Sequence, residues 1–211
     1  MLRTIIACAG FIILALGTAH WLTQDFEFWT AEGARRFDVA ASAVATPDVA
    51  AVGPWLAASN LPDTLTNTGG VTIVNFIYTT CQTICQVLGT EFQDLQARIE
   101  ADNRLRERVR LVSISFDPAH DTISVLRDYA GHLGANPDVW TFVTVPDDQQ
   151  LRQLLSQFNV VVIPDGNGGY AHNAALLIVD GRARLVRIFD YADVDLALGY
   201  ATRLAERQLS G

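Results

Sequence analysis

The stretch Ile73-Val74-Asn75-Phe76-Ile77-Tyr78-Thr79-Thr80-Cys81-Gln82-Thr83-Ile84-Cys85-Gln86 constrains the fold more than any other. Its apolar run, rich in β-branched and aromatic residues, reads as a buried strand that breaks at two threonines. Beyond it, Val87, Leu88, Phe92, Leu95 and Ile99 recur at helical spacing. The two cysteines therefore sit where a core strand hands over to a helix. Residues four apart share one face of a helical turn. A helix N-terminus also offers unpaired N–H groups at the positive end of its dipole. The unpaired N–H groups and the positive dipole end both favour the thiolate, which is the species that attacks disulfides and binds metals.

The alternation continues downstream. Val71 to Tyr78 predicts a strand and Cys85 to Arg98 a helix. Val109 to Ser115 predicts a strand, Thr122 to Leu133 a helix closed by Gly134, and Trp140 to Val145 a third strand. Asp147 to Phe158 reads as a helix with acidic residues in its first turn. Ala174 to Val179 and Leu185 to Phe189 flank Asp180-Gly181 as a hairpin, and Asp193 to Gln208 reads as a closing helix. Strands alternating with helices and ending in a hairpin give an α/β fold, a mixed sheet flanked by helices.

The N-terminus is different in kind. After Arg3, the segment Ile5 to Leu22 is apolar and just long enough, at 1.5 Å per residue, to cross a hydrocarbon core of about 30 Å. Arg3 and the terminal amine keep that end inside, and Asp25, Glu27 and Glu32 follow outside. Residues 1–29 are thus expected to be a membrane-anchor helix. The other reading is a signal peptide cleaved near Gly17-Thr18-Ala19. Either way the remainder is exported. It is held at a bacterial-type inner membrane on the periplasmic side, or released to the periplasm. Residues 30–60 read as a linker with an early hairpin, in which Pro54-Trp55-Leu56 pairs with Leu61-Pro62-Asp63-Thr64-Leu65. Residues 61–211 form the main domain.

Composition removes several function classes. A net charge of −8 lacks the basic face that nucleic acid requires. Three cysteines, with Cys8 in the export segment, leave only Cys81 and Cys85 for the domain, so no disulfide framework is available. No His follows Cys85, which rules out haem attachment through Cys-x-x-Cys-His. One methionine rules out thioether-based copper carriage. On these residues alone, Cys81 and Cys85 are a structural disulfide, two buried thiols, or a reactive pair. A disulfide closing so short a loop would add little stability.

The order strand, Phe-Ile-Tyr-Thr-Thr, Cys-x-x-x-Cys, helix resembles the signature of the SCO/SenC family. Its members are membrane-tethered, thioredoxin-like copper chaperones for cytochrome c oxidase assembly. Two further elements carry the resemblance. Ser113-Ile114-Ser115-Phe116-Asp117-Pro118-Ala119-His120-Asp121-Thr122 is similar to the family's Asp-Pro-x-x-Asp-Thr element. His172-Asn173-Ala174-Ala175-Leu176-Leu177-Ile178-Val179-Asp180 is similar to its copper-binding His shortly before a strand and an acidic-Gly turn. The resemblance implies a thioredoxin-like domain over 61–211 that holds Cu(I) or Cu(II) on Cys81, Cys85 and His172. Gly166 to His172 is expected to be a flexible loop facing the cysteine turn. Asp117 is expected to line the cysteine site as an outer carboxylate or a carboxylate that docks a partner. Asp121 or Thr122 is expected to cap the next helix. His120 and His132 read as surface residues. The chain departs from the family pattern at Gln82 and Gln86, where many members have Pro, and at Asn173, where many have Ser.

Two function classes follow. The first is a carrier that delivers copper to the copper-bearing subunit of the oxidase by ligand exchange, since two thiolates and an imidazole make a soft donor set. The second is a thiol–disulfide oxidoreductase that reduces client cysteines before metallation, one cysteine attacking and the other resolving. A peroxidase has no residues specific to it here. Zinc in a closed structural site would want a fourth ligand.

Overall fold

The computed structural model describes residues 2–22, 30–66, 70–81 and 84–209, and of these all side chains but those of residues 2, 5, 20–22, 84–87 and 209. The chain divides into two compact units, Met1–Asp38 and Val39–Gly211.

The first unit contains α1 (Leu2–Leu22) and most of α2 (Ala31–Ala41). Along α1, Phe11, Ile12, Ile13 and Leu14 are exposed. Among the described residues, no helix is long and apolar enough to cross a membrane. Helix α2 begins where the Thr30 hydroxyl accepts the Gly33 N–H at 3.0 Å, a side-chain cap for an otherwise unpaired donor.

The second unit runs β1 (Val44–Ala45), β2 (Ala50–Gly53), β3 (Leu56–Asn60), α3 (Leu61–Thr66), β4 (Val71–Ile77), α4 (Ile84–Ala101), α5 (Asn103–Arg106), β5 (Val109–Ser115), α6 (Ile123–His132), β6 (Trp140–Thr144), α7 (Asp148–Gln157), β7 (Val162–Pro164), β8 (Tyr170–His172), β9 (Ala175–Val179), β10 (Arg184–Asp190) and α8 (Val194–Leu209). Among the described residues, eight strands form one sheet in the order β1-β10-β9-β4-β5-β6-β2-β3, while β7 and β8 pair apart from it. Strands β4, β5 and β6 are parallel, and β9, β10 and β2 join antiparallel. All seven residues of β4 are buried, which is what a strand covered on both faces requires.

Alternation along β4 sorts the core. Val71, Ile73 and Ile77 pack with Leu88, Phe92, Leu95 and Ile99 of α4 and with α8. Val74, Phe76 and Tyr78 face the opposite layer, with Leu61 and Leu65 of α3 and Leu151 and Leu154 of α7. The stripe expected on α4 is fully buried at those four positions, and burial of each such side chain is worth about 1.5–3 kcal/mol.

The region expected to be linker and hairpin is arranged differently. Strands β2 and β3 pair across Pro54-Trp55, with Gly53 opposite Leu56. Leu61–Thr66 is helix α3 rather than a strand, because the Asn60 side chain accepts the Asp63 N–H at 2.8 Å and caps it. Gly53 lets β2 lie against β6, since a Cβ there would come within 2.2 Å of the Phe142 carbonyl oxygen.

Candidate functional site

The cysteine turn is built on the end of β4. The Tyr78 carbonyl accepts the Cys81 N–H at 3.3 Å. Thr79 is pinned by Asp121, from the loop between β5 and α6. One oxygen of that carboxylate accepts the Thr79 N–H at 3.0 Å and the Ser115 hydroxyl at 2.6 Å. The other accepts the Thr79 hydroxyl at 2.5 Å and lies 3.3 Å from Nδ1 of His120. Asp121 has no solvent exposure, and a buried carboxylate needs such partners. Asp121 is therefore no helix cap. Thr122 fills that role, accepting the Val125 N–H at 3.4 Å. Cys81 is 7% exposed and belongs to the same core cluster as Tyr78 and Phe116. Helix α4 starts at Ile84, so Cys85 falls in its first turn. The side chains of Cys85, Gln82 and Gln86 lie outside the described residues, as does the separation of the two sulfurs.

His172 comes from a different element. The glycine-rich segment is folded: β7 and β8 form a hairpin in which Val162 pairs with His172 and Pro164 with Tyr170. The Asp165 carboxylate closes the connection by accepting the N–H groups of Asn167 (2.8 Å) and Gly169 (2.9 Å). The first of these bonds does most to hold its pKa below the usual carboxylate range. Gly166 and Gly168 take φ of +79° and +87°, so the glycines serve the turn's geometry rather than flexibility. Asn173 secures the base, its Oδ1 accepting the Val161 N–H at 2.8 Å and its Nδ2 donating to the Asn159 carbonyl at 3.0 Å. The side chain that departs from the family pattern thus has a structural role in holding the hairpin.

An aromatic cluster that the sequence did not reveal joins turn to hairpin. The His172 ring packs edge-on against Phe116 and Tyr78, with centroids 5.2 and 6.4 Å apart. Tyr170 meets Phe116 at 5.5 Å and Tyr78 at 5.2 Å. Both imidazole nitrogens of His172 are buried and have no hydrogen-bond partner among the described residues. Burial holds its pKa below the ordinary 6.5, so the ring is neutral at pH 7 and able to donate a lone pair. Asp117 is half-buried, and its amide donates to the Ser115 hydroxyl at 3.1 Å. Burial raises the Tyr170 phenol pKa, and the nearby charges of Asp117 and then Asp121 add to it. His132 is exposed and its Nδ1 meets the Asp128 carbonyl at 2.7 Å within α6. Among the described residues, no three His, Cys, Asp or Glu side chains converge as a metal cage.

The buried histidine has a consequence for the metal-free protein. A base with a depressed folded pKa takes up its proton more readily once unfolded. Folding stability is then complete above pH 6.5 and falls as the pH drops through 6.5 toward the folded pKa. In His172→Ala, the melting temperature should fall less steeply with pH over that window. An identical slope in the variant would mean that His172 is not held neutral by burial.

The sequence model described as SCO1/SenC matches residues 62–202, well over half of the 211-residue chain. The chain belongs to the SCO1/SenC family. The "SCO1 protein homolog" of Bacillus subtilis is 29% identical over 129 residues, covering 60% of this chain and 64% of the relative. The match thus spans less than two thirds of that relative's length. Among solved structures, BsSco, described as a member of the Sco family of cytochrome c oxidase assembly proteins with a disulfide switch, aligns with a TM-score of 0.63 at 22% identity. That alignment covers 77% of this chain and 96% of BsSco. Arabidopsis thaliana ScoI, solved with copper bound, aligns with a TM-score of 0.65 at 16% identity, covering 77% and 98%. At these identities the structures establish the fold, which is the thioredoxin-like mixed sheet of SCO1/SenC proteins.

Proposed function

We propose that this SCO1/SenC protein carries copper to the copper-bearing subunit of cytochrome c oxidase, holding the ion on Cys81, Cys85 and His172. The observation that carries this is the His172 imidazole. A histidine with a purely structural role satisfies its ring nitrogens, whereas this one is buried in an aromatic wall with both nitrogens unmet among the described residues. Cys81 belongs to the same core cluster as Tyr78 and Phe116, which the His172 ring touches, and Cys85 follows in the first turn of α4. Two thiolates and a neutral imidazole suit Cu(I), a soft ion content with few ligands. The imidazole is already neutral, so metal binding need not displace a proton from it. Partial burial excludes water, while a three-donor site leaves a position for an incoming client thiolate.

The chain is tethered through residues 1–29 at the exported face of a bacterial-type inner membrane. Support comes from the apolar side chains that α1 exposes and from the charge asymmetry about the segment. The tether keeps the carrier beside a membrane-bound client.

Thiol–disulfide exchange is the second function, favoured by the start of α4 between the two cysteines. Helix N-termini lower thiol pKa values, and a client's copper-binding cysteines must be reduced before they can be loaded. The two functions separate at His172, because attack and resolution use sulfur alone. In cells lacking the protein, oxidase activity should fall and added copper should partly restore it. Expression of His172→Ala should leave the deficit in place, while that variant still exchanges disulfides with a model substrate. Normal oxidase activity with His172→Ala would reject copper carriage by this site as the essential function.

A further inference from the structure

Tyr78 touches both halves of the candidate site. Its carbonyl takes the Cys81 N–H at 3.3 Å. Its hydroxyl donates to the Tyr170 carbonyl at 3.1 Å and accepts the Tyr170 N–H at 3.2 Å. In an antiparallel pair, the N–H and C=O of one residue leave the same edge of the strand. For Tyr170 that edge turns away from β7, where the residue opposite is Pro164, which has no N–H to give. The Tyr78 hydroxyl therefore does for Tyr170 what a third strand would do. A Cβ at Gly169 would crowd the Asp165 carboxylate, at 2.6 Å, and would only touch the Tyr78 hydroxyl, at 3.4 Å. His172 follows two residues later, on the same side of β8 as Tyr170, and both rings pack against Tyr78.

We infer that Tyr78 is a positioning residue that sets where the His172 imidazole sits relative to the cysteine turn. The inference rests on the proposed function, in which Cys81 and His172 share one copper ion. Tyr78 is 6% exposed, so a phenylalanine there keeps the ring and its packing and loses only the hydroxyl. The Tyr170 N–H and C=O then lose their common partner. The hairpin keeps its base, held by Asn173, but its free edge is no longer fixed to the turn. Two thiolates remain in place while the third donor is held less well.

The test measures Cu(I) affinity of the full chain anaerobically against a chromogenic chelator, for wild type, Tyr78→Phe, His172→Ala and the double variant. Tyr78→Phe should weaken binding by up to about tenfold, the scale of a lost hydrogen bond or two. It should weaken binding less than His172→Ala does, and should add no penalty in the His172→Ala background. X-ray absorption of the copper-loaded Tyr78→Phe chain should show a weakened nitrogen contribution and an unchanged sulfur contribution. Once oxidised to a Cys81–Cys85 disulfide, the variant should still be reduced at the wild-type rate. Four outcomes would overturn the inference: wild-type affinity in Tyr78→Phe while His172→Ala is weakened, an equal Tyr78→Phe penalty in both backgrounds, a diminished sulfur contribution, or a Tyr78→Phe chain that fails to fold. If the wild-type chain binds no Cu(I), or His172→Ala binds as tightly as wild type, the proposed donor set itself fails and the inference falls with it.

Discussion

Cys81→Ser is expected to abolish tight Cu(I) binding, and Cys85→Ser to do the same, while Cys8→Ser leaves affinity unchanged. A hydroxyl is a hard, weakly acidic donor and does not replace a thiolate toward Cu(I). Even outer-shell partners of metal ligands are worth about 10–100-fold in affinity, so the loss of a direct thiolate should exceed that range. Cys8 lies on α1, in the other compact unit. Either serine variant should also lose disulfide exchange, since one cysteine cannot both attack and resolve. Anaerobic competition against a chromogenic chelator reads the affinity. Retention of wild-type affinity by Cys81→Ser would remove the cysteine turn from the copper site.

Asp121→Ala should give the largest loss of stability of any single change near the site, about 3 to 5 kcal/mol for the three donors left without an acceptor. The Thr79 N–H, the Thr79 hydroxyl and the buried Ser115 hydroxyl all end on this carboxylate. For a unit of this size each kcal/mol is worth roughly 2–4 °C, so the melting temperature should fall by about 10 °C. Asp121→Asn keeps the shape but offers one acceptor atom in place of two, and should fall between. Copper affinity should drop in both, since Thr79 lies two residues from Cys81. A loss below about 1 kcal/mol in Asp121→Ala would mean that the turn is held by other contacts.

The sheet was legible because its signals are local. The seven-residue run of β4 and the three- and four-residue steps along α4 each carry their own periodicity, and both elements appear where expected with ends shifted by at most three residues. The early hairpin was misplaced because Asn60, which caps α3, reads in sequence as an ordinary turn residue. Two other features depended on distant partners. Asp121, next to Thr122 and a helix, gives the pattern of a cap; that it instead reaches back 42 residues to Thr79 is decided by packing. The Gly166 to His172 segment looks flexible from its glycines, yet Asp165 and Asn173 fold it into a hairpin. The cluster of Tyr78, Phe116, Tyr170 and His172 draws on three separate stretches of the chain. One clue to it was available: Tyr170 and His172 stand at the alternate spacing that puts two rings on one side of a strand.

X-ray absorption on the full chain loaded anaerobically with one equivalent of Cu(I) tests the central claim most directly, because it counts donor atoms by type. Carriage of copper on Cys81, Cys85 and His172 predicts two sulfur donors and one imidazole nitrogen, with the nitrogen lost in His172→Ala. A sulfur-only site in the wild-type chain, or a nitrogen donor that persists in His172→Ala, would contradict it.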